Sequence, residues 1–371
     1  MKPQGFDLNS FAEPSRRQEQ WRFSPLETLR PLLTGQAAGG SWQAVATALP
    51  EVVQLERVDR SDARLGRVGQ PEDRAAAAAW QGFTQADLLT FKDDRQPVVE
   101  LDLVPSSHTE PSAHHLTICG QAGSTGTVIL NDAASGILGQ TVEIDLAERA
   151  ELTVISLNFA ERDALRTTAH RINLGRDAKL KHVLVNLGAA VARSTVRVNL
   201  NEPGGQVDLL GLYLTGSAQH HEHRIMIDHQ APHCYSRVTY KGALQATDAR
   251  AVWVGDVLIG EQAEGTDSYE LNRNLLLTAG ARVDSVPNLE IKTGQIERAG
   301  HASATGRFDD EQLFYLQSRG IDRVSAGRLV VQGFFASLID QIGVPEIAKT
   351  LVAAVDHRLD YQDQTAKQGA A

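Results

Sequence analysis

Cysteine is scarce in this chain: its 371 residues include only Cys119 and Cys234. One disulfide is arithmetically available, and in a reducing compartment none is expected. Aromatic residues are few too, at 5% against 42% hydrophobic residues. The core must therefore be aliphatic, built from Leu, Val, Ile and Ala, which suits stacked layers of strands better than an aromatic-lined ligand groove. No run of about 18 apolar residues occurs. The opening MKPQGFDLNSF lacks the charged and apolar regions of a secretory signal. A soluble, cytoplasmic protein without a membrane partner is expected. Basic residues are in deficit, and the formal net charge of −10 argues against nucleic acid or an anionic membrane surface as a main partner. Nucleotide and hydrolase signatures are missing as well. There is no GxxxxGKS/T, GxSxG or HExxH, and Gly204-Gly205 lack a following lysine and helix. Any ATP-driven step has to come from another subunit.

Three regions follow one another. Residues 1–97 read as helical or irregular. Pro14–Phe23 forms a short helix anchored by Trp21 and Phe23, and Pro25 opens another carrying Leu26, Leu29, Leu32 and Leu33. Gly35–Gly40 is a linker, residues 41–60 alternate weakly, and Ala75–Trp80 is helix-prone. Residues 98–308 change to short apolar runs bounded by Gly, Asn and Asp. A corner recurs there: Leu146 with Ala150 and Leu152, Leu174 with Ala178 and Leu180, and Leu277 with Ala281 and Val283. The first two copies are 28 residues apart (174 − 146). This spacing fits one turn of a broad parallel β-solenoid, or two shorter units, with small residues at the corners. A β-sandwich is the alternative, since regular turns fit both. Residues 309–371 read as helical. Asp309 or Asp310 caps a first helix carrying Leu313, Phe314 and Leu316, and Gly320 stops it. Asp322–Ile342 forms the second, with Val324, Leu329, Val330, Phe334, Leu338 and Ile339 on its apolar face. Gly343 breaks it. Pro345 opens a last helix through about Tyr361, with Ile347, Leu351, Val352, Val355 and Leu359 inward, and the tail QDQTAKQGAA is expected to be disordered.

The stretch from Ser285 to Ile342 joins the β-rich body to the helical end. Its run PNLEI, then GHASATG, then DDEQLFYLQSRGI resembles the C-terminal signature of the SufB/SufD family of iron–sulfur cluster assembly proteins, the SufD branch most of all. WRFSPL near the N-terminus resembles the helical segment of SufD proteins. The resemblance implies a right-handed parallel β-helix core over 98–308, flanked by helical regions. It also implies a non-catalytic scaffold that pairs with a SufB-like paralogue through the β-helix. A SufC-like ATPase would dock on the helices of 309–371, and the isolated chain could pair with itself. No cofactor would be held stably by the chain alone; an iron–sulfur cluster would be shared transiently with the partner. Rival readings are a β-helix enzyme acting on polysaccharide and a self-assembling structural solenoid. The missing signal peptide and few aromatics speak against the former.

His301, between Gly300 and Ala302, is the sharpest candidate. Read from its residues alone, it is a turn histidine bonded to backbone. The family places a histidine here at the paralogue interface, which implies a cluster ligand. The family cysteine two positions earlier is Ala299 in this chain. With only two cysteines, the four thiolates usual for a cluster cannot come from this chain. His220, His221, Glu222 and His223 form the densest ligand-capable run. On a strand, His221 and His223 would share one face; without a third ligand in view, a solvated strand is expected. His229 and His233 follow, with Cys234 read as a small buried hydrophobe. Ser236 and Arg237 satisfy backbone at a corner. Asp284, Glu290 and Glu297 are read as surface charge.

Overall fold

The computed structural model describes residues 5–307 and 310–368. Four strands open the structure: β1 (Gln43–Ala46), β2 (Val53–Asp59), β3 (Gln85–Phe91) and β4 (Val98–Val104). There follow β5 (Pro111–Gly120), β6 (Thr125–Asp132), β7 (Ile137–Leu146), β8 (Glu151–Asn158), β9 (Leu165–Leu174), β10 (Lys179–Asn186) and β11 (Val191–Leu200). The last are β12 (Gln206–Thr215), β13 (His220–His229), β14 (Tyr235–Leu244), β15 (Arg250–Ile259), β16 (Asp267–Leu276), β17 (Arg282–Ile291) and β18 (Arg298–Arg307). Even-numbered strands from β4 stack into one nine-stranded sheet that begins with β1. Odd-numbered strands from β3 form the other, which begins with β2. Strands β3 to β18 pair with one another in parallel, so the chain winds as a β-solenoid, as expected. The sandwich alternative is set aside.

The two ends of the solenoid differ. At the start, β1 pairs β4 and β2 pairs β3 antiparallel, which closes the first coil. Strands β1, β2 and β3 lie within the segment read as helical or irregular. At the far end both sheets stop at parallel strands, β17 and β18.

Each coil turns corners whose geometry explains the recurring motif. Ser124, Ala150, Ala178, Gly205, Cys234 and Thr266 stack one above another, each just before a strand of the even sheet. The residue before each has a left-handed backbone: Gly123, Arg149, Asp177, Gly204, His233 and Gly265. A residue wedged inside such a turn must be small. Cys234 therefore serves as a corner filler, 1% exposed. The 28-residue spacing is one coil, since Glu151 and Lys179 are register partners. The Leu277 copy, however, precedes β17 and lies on the opposite corner, beneath Gly280 with its own positive φ.

Inward residues of the first coils are mainly aliphatic, with Trp42 and Phe91 among them. Toward the far end aromatics take over. The Tyr240 ring lies over Gly211 and the Tyr213 ring over Gly242, so that a Cβ would stand 2.0 and 1.9 Å from those rings.

Helices cover both outer faces. Near the N-terminus the expected Pro14–Phe23 helix is a single 3-10 turn, Glu19–Trp21, and α1 is brief (Leu26–Leu29). Trp21 is nonetheless buried as expected. Helix α2 (Arg74–Gly82), capped by Asp73 through Ala76 N–H, packs on the odd sheet. At the C-terminus come α3 (Asp310–Ser318), α4 (Arg323–Ile342) and α5 (Pro345–Gln368). Phe308, Asp309 and the side chains of Asp310 and Leu313 lie outside the described residues. Asp322 caps α4 through Val324 and Ser325 N–H, and Gly343 ends it at φ 75°. Helix α5 runs on to Gln368, beyond Tyr361 and through most of the tail expected to be disordered.

Helices α4 and α5 bury the outer face of the even sheet: Val331, Phe335, Leu338, Ile339, Leu351 and Val355 pack on Val183, Val185, Leu210, Leu212 and Leu214. Val324, Leu329 and Val352, expected inward, are exposed. Lys181 Nζ donates to Gln341 O at 3.0 Å and Ile342 O at 3.3 Å, placing a cation at the negative end of α4.

Candidate functional site

His301 lies in strand β18, not in a turn. Small neighbours on either side, which read as a turn, are here pleated residues of the last strand. Across the ladder His301 is the Cα partner of Glu270 in β16. Ser268, Glu270, Asn272 and Asn274 alternate as the buried, inward residues of β16. Register therefore puts Ala299, His301, Ser303 and Thr305 on the same inward face, one coil further out. No further coil covers them among the described residues, so His301 is exposed.

Behind this open mouth the interior is polar. Ser303 Oγ donates to Ser285 Oγ at 2.8 Å, Ser285 Oγ to Asn272 Oδ1 at 2.7 Å, and Asn274 Nδ2 also to Asn272 Oδ1 at 2.7 Å. Tyr213 O–H closes the chain on Asn274 Oδ1. Glu270 stands apart. It is 1% exposed, and neither carboxylate oxygen has a hydrogen-bond partner. Burial, with Asp256 adding repulsion, pushes its carboxyl up to about 8. Sequence reading passed over it; an inward position in SYELNRN was the available signal.

The histidine run of β13 is buried, not solvated: His221, Glu222 and His223 are each 0% exposed. The strand does put His221 and His223 on one face, but that face is the solenoid interior. His221 Nε2–H donates to Gly188 O at 2.9 Å, and its Nδ1 meets Thr215 Oγ1 at 3.2 Å. His223 stacks on Tyr213 with ring centroids 4.8 Å apart. Burial holds His221 near 4 and His223 near 3, so both are neutral structural imidazoles. His229 Nε2 meets Ser236 Oγ at 2.9 Å, again inside. His233 is a corner residue with φ 59°. Arg237 NH1 donates to Ser236 O and Asp267 O, the backbone-satisfying role read for it.

Glu222 points outward into a second buried cluster. Its Oε2 accepts from Ser24 Oγ at 2.7 Å and its Oε1 lies 3.4 Å from Arg193 Nε. Arg193 in turn reaches Asp73 Oδ2 at 2.6 Å. This ion network pins the N-terminal segment and α2 to the odd sheet.

Both cysteines are free thiols. Burial, reinforced by Asp145 and Glu143, pushes Cys119 up to about 11, and burial raises Cys234 as well. Neither is poised as a thiolate. Asp284 pairs with Arg282 at 2.7 Å, Glu290 pairs with Lys292 at 3.2 Å, and Glu297 is exposed. Among the described residues, no group of three or more His, Cys, Asp or Glu could hold a metal ion. No helix there is long and apolar enough to cross a membrane.

A family model described as SUF system FeS cluster assembly, SufBD core domain, matches residues 104–334. An iron–sulfur cluster assembly SufBD family protein of Mycobacterium tuberculosis is 44% identical over 98% of this chain and 93% of its own length. This chain belongs to the SufBD family. Within the family, the iron–sulfur cluster assembly protein SufD of Escherichia coli is 26% identical over 93% of this chain and 89% of its own. SufD of Bacillus subtilis is 29% identical over 50% of this chain and 42% of its own. The SufBD match takes in strands β5 to β18, the open mouth with His301, and α4 as far as Phe334.

Proposed function

We propose that this SufBD protein is a cytoplasmic, SufD-like scaffold subunit of an iron–sulfur cluster assembly complex, with catalysis residing in a partner. The carrying observation is the open end of the solenoid. Strands β17 and β18 end the two sheets, and an unpaired strand edge is a template for another chain. His301 is exposed beside that edge. A SufB-like paralogue docking there would cover the mouth and bring thiolates to His301, because this chain's own thiols are a corner filler and a half-buried, protonated Cys119. A neutral imidazole can replace a thiolate on a cluster iron. The cluster is cargo, built at the shared site and passed on.

The C-terminal helices suit an ATPase dock on their outer side. Phe314 is 73% exposed and Tyr315 57% exposed on α3, apart from the face that α4 and α5 turn to the sheet. Deleting these helices would strip Leu210, Leu212 and Leu214 of cover, so surface variants are the better probe.

Co-expression with SufB-like and SufC-like proteins, followed by mass determination of the purified assembly, tests this reading. A complex of all three is expected, and a Phe314→Ser, Tyr315→Ser double variant should lose the ATPase while keeping the paralogue. A chain that stays alone with both partners present would overturn the scaffold reading.

A further inference from the structure

Glu270 has no structural explanation within its own chain. A buried carboxyl normally acquires a hydrogen-bond or ion-pair partner, because an unsatisfied one costs more than an apolar residue of the same size. Glu270 has neither, although Asn272, Asn274, Ser285 and Ser303 beside it are hydrogen-bonded to one another. Opposite it the odd sheet leaves room: β15 has Gly255 there, and a Cβ at that position would stand 2.6 Å from Glu270 Oε1 and 2.4 Å from the Trp253 ring. The next inward residue toward the mouth, in Cα register with Glu270, is His301.

We propose that Glu270 and His301 form this chain's half of a divalent iron site at the mouth of the solenoid, with a docked partner supplying the remaining ligands. The inference rests on the scaffold reading and adds to it a second residue and a named cargo. Carboxylate oxygen and imidazole nitrogen are donors that suit ferrous iron, whereas a pre-formed cluster calls chiefly for thiolate. The pair thus fits iron delivered before sulfide, held at the mouth where the partner closes over it. Two donors are too few to retain an ion, in keeping with the lack of any larger group among the described residues.

The test uses the purified complex with its partners under anaerobic conditions, titrated with Co(II) as a spectroscopic stand-in for Fe(II). Glu270→Gln should weaken Co(II) binding at least about tenfold, the lower bound known for groups that only support a ligand. His301→Ala should do the same, and the double variant should lose little more. Complex mass and thermal midpoint should be unchanged in Glu270→Gln. Should that midpoint fall, Glu270→Asp decides, since it keeps a carboxyl and draws it back by one methylene, and it should weaken Co(II) equally. Unchanged Co(II) affinity in the Glu270→Gln variant, or in Glu270→Asp where that is needed, overturns the site. If His301→Ala alone loses metal, the site falls while the scaffold reading stands. Failure of the parent chain to form a complex at all sinks the scaffold reading, and this inference with it.

Discussion

Arg193→Ala should destabilise the protein by about 3–5 kcal/mol, the usual cost of removing one partner from a buried ion pair. The side chain is 2% exposed and its contacts span three parts of the chain. NH1 meets Asp73 at the cap of α2, Nε faces Glu222 on β13, and NH2 donates to Gln20 O in the N-terminal segment at 3.2 Å. Its guanidinium also lies 4.1 Å from the centre of the Trp21 ring. Truncation leaves Asp73 buried without its cation, leaves Glu222 with Arg224 at 3.3 Å, and frees the N-terminal cover. Acid should reveal the same network. Burial alone would raise the Glu222 carboxyl, but Arg193, with His220, Ser24 and Arg224, brings it down to about 2. A depressed folded-state value stabilises fully above the ordinary carboxylate range and is lost as pH falls toward 2. The parent should therefore lose stability through that window, and Arg193→Ala should show a flatter profile there. Urea unfolding across the acid range measures both effects. A variant that unfolds with the parent would show that the network contributes nothing.

Phe335→Ala comes next, again with a loss of about 3–5 kcal/mol, the range for removing a large buried aromatic. Phe335 is 0% exposed and lies where α4 meets the outer face of the even sheet. A cavity there weakens the grip of both C-terminal helices at once, because α5 reaches the sheet beside α4. Its neighbour Phe334 is only partly buried, with the Lys241 ammonium 5.1 Å from its ring centre. Phe334→Ala should cost less. Amide hydrogen exchange gives the finer readout: protection should fall first in α4 and α5, while β5–β9 stay closed. Uniform loss across the solenoid would contradict a separable helical cover.

Much of the architecture was legible because solenoid corners carry strong local rules. A small residue after a left-handed turn recurs once per coil, with Ala150 and Ala178 28 residues apart, and Asp322, Gly343 and Pro345 mark helix ends by their own chemistry. Short strands without a turn signature, β1 to β3, were not legible; their pairing depends on coils far along the chain. Polarity misled at His221 and His223. In an isolated strand such residues read as outward, but a solenoid interior offers carbonyls and hydroxyls, here Gly188 O and Thr215 Oγ1, that satisfy them. Helix α4 is apolar nearly all round, so its true inner face, Val331 and Phe335, was not separable from Val324 and Leu329. At the site, the family signature singled out His301. Glu270 was missed because its significance appears only when strand register sets it beneath that histidine.

The central claim, that the open mouth holds a shared assembly site, is tested most directly by cluster formation on the complex. Complexes containing the parent chain or His301→Ala would be loaded anaerobically with iron and sulfide. Cluster absorption and iron and sulfide content would then be measured at matched complex mass. Because His301 is exposed in a terminal strand, the variant should assemble and melt like the parent yet accumulate several-fold less cluster. An intact His301→Ala complex that builds clusters as fully as the parent would contradict the account.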